Sequence, residues 1–89
     1  MKPIIIGSDD YGLIGMAADY KSAVKYLIDK QYICENYTIL DADNDGEEIT
    51  IRGKLGINWK DRLINEWDIE KFRKFVYGIY LEEAPIIEY

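Results

Sequence analysis

Apolar residues open this chain in two short runs, residues 3–8 (Pro-Ile-Ile-Ile-Gly-Ser) and 13–18 (Leu-Ile-Gly-Met-Ala-Ala), separated by Asp9, Asp10, Tyr11 and Gly12. Turn-forming residues between two apolar runs predict a chain reversal, and so an antiparallel hairpin. The period then changes. Tyr20, Ala23, Val24, Leu27 and Ile28 recur at i, i+3, i+4, i+7 and i+8, with Lys21, Lys25 and Asp29 on the other side, which is the pattern of an amphipathic helix. Asp19 stands at its N-cap, where a carboxylate accepts from free backbone N–H groups, and the stripe runs out near Gln31.

Residues 37–40, Tyr-Thr-Ile-Leu, are aromatic and β-branched and suit a strand. Ile49-Thr50-Ile51-Arg52 alternates at period two, which favours a strand paired back across the Asn44-Asp45-Gly46 turn. Ile49, Arg52 and Leu55 also fit a helical turn closed by Gly56, so both readings stay open. Asn58, with Asp61 three residues on, reads as the N-cap of a helix that carries Trp59, Leu63 and Ile64 on one face. Asp68 restarts the helix, and Ile69, Phe72, Phe75, Val76 and Ile79 form a second inward stripe. Residues 80–89 read as a closing extended segment that Pro85 confines to an edge or a bulge. The elements predict one α+β domain over residues 1–89, a small antiparallel sheet of about four strands with two to three helices packed on one face.

Composition narrows the function. With 48% hydrophobic residues, eight tyrosines and two tryptophans the chain is globular, although 89 residues leave only a small core. Seventeen acids against eleven bases give a net charge of −6, which disfavours nucleic acid and anionic lipid and favours a basic protein partner. Arg52, Lys54, Lys60, Arg62, Lys71, Arg73 and Lys74 form the one basic region, but Asp61, Glu66, Asp68 and Glu70 interrupt it, so no direct nucleic-acid contact is expected. The three-isoleucine run is too short for a secretion signal and no window is long enough to span a bilayer, which predicts a cytoplasmic protein without membrane contact.

The chemistry that remains is sparse. There is no histidine and a single cysteine, Cys34. An internal disulfide, a Cys/His zinc site and histidine-based acid–base or nucleophilic catalysis are therefore excluded. Cys34 is expected to be a half-buried hydrophobe. Gly7, Gly12 and Gly15 adjoin two aspartates and precede no lysine, which excludes a phosphate cradle. Catalysis by carboxylates alone needs a walled cleft that a chain of this size hardly builds. The expectation is a protein that is not an enzyme and carries no cofactor.

The stretch DADNDGEEITIR, residues 41–52, poses the sharpest question. Asp41, Asp43, Asp45 and Gly46 match the first, third, fifth and sixth positions of a calcium loop. Arg52 stands where the closing bidentate glutamate belongs, and a guanidinium has no acceptor atom. Asp, Asn and Gly also recur in tight turns for reasons unrelated to metal. Calcium binding is thus the alternative reading, and no metal ligand is assigned. The favoured one takes the carboxylates Asp41, Asp43, Asp45, Glu47 and Glu48, with Asp9 and Asp10 in the other turn, as a surface that meets lysines and arginines of a partner. A third reading is a self-associating structural protein, in which Ile86, Ile87 and Tyr89 offer an open strand edge to a second copy.

The stretch GINWKDRLINEWDIEKFRKFVYGIYLEE, residues 56–83, resembles a pattern in small, acidic, uncharacterised proteins of bacteriophages and mobile elements of Gram-positive bacteria: a G-x-N-W turn, a W-D-x-x-x-F helix and a Y-L-E-E strand. The resemblance implies that Trp59, Trp67, Phe72 and Tyr80 are core residues. It also implies a setting, since compact phage proteins often block a host protein, including nucleic-acid-handling defence enzymes. The sequence departs from the pattern at Ile51-Arg52-Gly53-Lys54, where a cleaner helix is expected.

Overall fold

In a computed structural model, which describes residues 2–85, Ile4–Ser8 (β1) and Gly12–Ala17 (β2) form the expected antiparallel hairpin. Ile4 faces Ala17, Ile5 faces Met16 and Ile6 faces Gly15, but Gly7 pairs with Leu13, so Ile14 is the extra residue of a β-bulge. The bulge resets the alternation of side chains. Leu13 and Met16, three residues apart, both lie on the outer face opposite Gly7 and Ile5.

Ile79–Glu83 (β5) pairs with the other side of β1, giving a three-stranded sheet of order β2-β1-β5. Ile4, Ile6, Ile79 and Leu81 turn inward and are buried, while Tyr80 and Glu82 point out. Helices cover the inner face. Tyr20–Asp29 (α1) starts where the Asp19 carboxylate accepts from the Ser22 N–H (2.8 Å) and ends where Gln31 enters the left-handed region at φ 62°. Its Ala23, Val24 and Leu27 are fully buried.

Thr38–Asp41 (β3) and Glu47–Thr50 (β4) make a separate two-stranded sheet. Ile51–Leu55 (α2) follows without a loop, because Thr50 Oγ1 accepts from the Gly53 N–H at 2.9 Å and caps a new helix. The helix stops at Gly56, whose φ of 87° suits a residue without Cβ. Trp59–Asn65 (α3) and Ile69–Phe75 (α4) complete the layer, and the Asp68 carboxylate caps α4 by accepting from the Lys71 N–H (2.8 Å). The core gathers Ile39, Ile51, Leu63, Phe72 and Phe75 from these elements, and Trp67 from the link between α3 and α4, against α1 and the large sheet.

The α+β class and the single helical layer follow the sequence reading, with three differences. The strands divide into sheets of three and two, and four helices are present among the described residues. The 49–55 segment takes both of its open readings in turn, strand through Thr50 and helix from Ile51, so the departure at Ile51-Arg52-Gly53-Lys54 is itself helical. Asn58 makes no side-chain cap bond, because its own backbone (φ −94°, ψ 31°) is not extended. The expected C-terminal segment begins as β5, and its ladder continues with Ala84 N–H donating to Pro3 O at 2.8 Å. Ile86, Ile87 and Tyr89, which carried the open-edge reading, lie outside the described residues.

Candidate functional site

The acidic hairpin is built from its turn outward. The Asp41 carbonyl accepts from the Asn44 N–H (2.9 Å) and the Gly46 N–H (2.8 Å), and Asp45 (φ 55°) and Gly46 (φ 74°) take the left-handed backbone that closes the turn. The Asp41 side chain does not face solvent. Its residue is only 3% exposed, and its carboxylate accepts from the Asp43 N–H (3.1 Å), the Asn44 side-chain amide (2.8 Å) and Lys54 Nζ (2.9 Å). Lys54 arrives from α2 and reaches Asp43 Oδ2 as well, at 3.0 Å, with its ammonium 5.4 Å from the centre of the Phe75 ring.

These contacts explain the proton affinities. The Asn44 amide first, and then Lys54, hold the Asp41 carboxyl below its ordinary 3.8, while Asp41 and then Asp43 push Lys54 above 10.5. Asp41 is therefore a buried, turn-forming residue, and Asp43, though exposed, is already paired. The sequence could not show this, because the cation comes from a helix whose start was ambiguous.

The same contacts bear on the calcium pattern. An ammonium group bridges the carboxylates of the first and third positions. Arg52, at the twelfth, turns away to Glu35 with Nη1 to Oε2 at 3.0 Å. Among the described residues no three Asp, Glu or Cys side chains converge to hold a metal ion. Asp45, Glu47 and Glu48 are exposed at the hairpin end and their carboxylates make no hydrogen bond or ion pair with any described residue, so their charge is uncompensated within the fold.

Asp9 and Asp10 lie elsewhere. The β1–β2 turn that carries them is fixed by Tyr11 N–H donating to the Ser8 hydroxyl (2.8 Å) and Asp9 N–H donating to Gly78 O (2.9 Å). Tyr80 donates its hydroxyl to Asp9, and this bond is the first reason why the Tyr80 phenol resists ionisation beyond its usual 10.0. Tyr37 donates to Tyr77 O at 2.8 Å, and burial, followed by the nearby Tyr77, Asp10 and Asp9, raises its phenol too. Asp10, Tyr11, Tyr32 and Tyr37 line a small cleft of about 460 Å³, in which Tyr11 meets Tyr32 edge to face at 5.4 Å. Tyr37 immediately precedes β3, so the acidic turn that begins at Asp41 lies about 13 Å further along the chain. The two acidic turns are separate patches. The tyrosines around Asp9 and Asp10 were missed by the sequence reading, and Tyr80, expected in the core, is 46% exposed.

A wider groove, about 880 Å³, runs between α1 and α3 past Lys25, Asp29, Glu35, Trp59 and Lys60. Its charges are mixed and spread along an open surface. Cys34 lies on its wall and is exposed, contrary to expectation, because the chain between α1 and β3 buries Ile33 in its place. No helix of the described residues is long and apolar enough to cross a membrane. Compared with known proteins, the chain matches no family, no curated protein and no solved structure.

Proposed function

We propose that this chain is a non-catalytic protein-binding module that presents acidic turns to a basic partner in the cytoplasm. The observation that supports it is the division of labour in the β3–β4 hairpin. Lys54 bridges Asp41 and Asp43 and fixes the turn, while Asp45, Glu47 and Glu48 stay exposed without a cation of their own. A rigid turn carrying uncompensated charge costs a partner little ordering entropy and attracts it over several ångströms. Asp10 beside the tyrosine cleft adds a second contact, where an arginine or lysine meets both a carboxylate and aromatic faces. The resemblance to phage proteins adds a setting, the blocking of a host protein that handles nucleic acid and is basic for that reason.

The test uses immobilised protein, host lysate and mass spectrometry. A basic protein retained by the wild type at low salt should be released at about 0.5 M salt, where the Debye length shrinks to a few ångströms. The triple variant Asp45→Lys, Glu47→Lys, Glu48→Lys should keep its melting temperature and lose that protein, with Asp10→Lys reporting on the second patch. Equal retention by both variants would defeat the proposal.

A further inference from the structure

The order β2-β1-β5 leaves β2 at an edge with no described strand on its open side. Residues 11–18, which contain this strand, are the longest uncharged run in a chain that is 31% charged. Protein edges are usually guarded by lysine, proline, inward-pointing charge or a bulge, and β2 has only the bulge at Ile14. Beside that edge Leu13 is 76% exposed, Met16 62% and Tyr11 70%.

We propose that β2 is a pairing edge for a second copy of this chain, the two β2 strands running antiparallel about a two-fold axis to join two three-stranded sheets into one of six. Charge selects the occupant. A basic partner has no carboxylate to meet along β2, whereas two copies of net charge −6 can approach along this neutral strand, with repulsion confined to its ends, where Asp10 meets Asp19 of the second copy in exposed, screened positions. Shape selects the register. With the axis between Ile14 and Gly15, Leu13 stands opposite Met16 of the second copy, and symmetry repeats the contact. The bulge makes this work, since it puts Leu13 and Met16, at odd spacing, on one face. Main-chain hydrogen bonds supply the rest, as in other strand additions. Tyr11, Leu13 and Met16 expose roughly 450 Å² per copy, so their side chains give a pair at most about 900 Å², below the range of tight complexes and in that of weak, reversible ones.

Sedimentation velocity from about 10 µM to about 1 mM tests the idea in the range where a weak interface fills. The wild type should shift from monomer to dimer, and more strongly at high salt, because screening removes the mutual repulsion. Binding to a basic partner moves the other way with salt, so the two proposals fail separately. Leu13→Lys and Met16→Glu alter exposed side chains, and each alone should stay monomeric. An equimolar mixture should dimerise again, as Lys at 13 then faces Glu at 16. A wild type that remains monomeric at about 1 mM, a dimer that survives in both variants, or a mixture that stays monomeric would each overturn the proposal.

Discussion

Replacing Tyr20 with phenylalanine removes one oxygen and leaves the ring where it packs, edge to face against Phe72 with centroids 6.2 Å apart. The lost atom matters because of where it points. Tyr20 donates to Leu63 O at 2.8 Å, and Leu63 lies in the last turn of α3, whose carbonyls lack intrahelical donors. Trp67, four residues on, gives its N–H to Arg62 O (3.3 Å), so the hydroxyl of α1 satisfies this end of α3. A neutral hydrogen bond of this kind contributes about 1 kcal/mol net, and an acceptor left unsatisfied in partly buried surroundings brings the loss to about 2 kcal/mol. For a domain of this size each kcal/mol moves the melting temperature by about 4–8 °C, so Tyr20→Phe should melt roughly 5–15 °C below the wild type. Tyr26→Phe is the control, since that side chain is 40% exposed and stacks on Tyr32 without a hydroxyl hydrogen bond among the described residues.

Alkaline pH gives a second readout of the same bond. Burial first, and then the charge of Asp68, raise the Tyr20 phenol above its usual 10.0. A raised value in the folded state means that the stabilisation is whole below pH 10 and is lost as pH climbs through the folded value. The gap between wild type and Tyr20→Phe should therefore narrow above pH 10. Calorimetric melts of the three proteins at neutral and alkaline pH are sufficient. A variant that melts within about 1 °C of the wild type, or a gap that stays constant with pH, would refute the reasoning.

Two further outcomes follow from the hairpin. Millimolar calcium should leave the melting temperature unchanged, because Lys54 already bridges Asp41 and Asp43; a rise with calcium concentration would mean that the ion binds the folded state. Asp41→Asn should lower the melting temperature at pH 7. Since the folded Asp41 carboxyl titrates below 3.8, its contribution is full above that value and disappears as pH falls through the folded one, so the two proteins should converge in acid. Parallel melting curves down to about pH 2 would contradict this role for Asp41.

What the sequence revealed depended on distance along the chain. The hairpin of residues 3–18, the α1 stripe and the Asp19 and Asp68 caps were legible, because each rests on residues three or four apart or on a turn between neighbours. The division into two sheets was not, since β1 pairs with a strand about seventy residues later, and alternation alone cannot name a partner. The site shows the same limit. Asp41 and Glu48 look alike in the sequence, and only the arrival of Lys54 from α2 turns one into a fold residue and leaves the other exposed. The Tyr80–Asp9 contact, across 71 positions, left no trace in composition or spacing.

The pairing of β1 with β5 also sets a schedule for synthesis. While the ribosome is still making the middle of the chain, Ile4 and Ile6 sit in a hairpin whose neighbour does not yet exist, and the central strand acquires its second partner only when Ile79–Glu83 emerges. Until then the strand that ends up at the centre of the sheet is itself an open edge, with apolar Ile4 and Ile6 beside it, and that interval is when holdase chaperones would have most to shield.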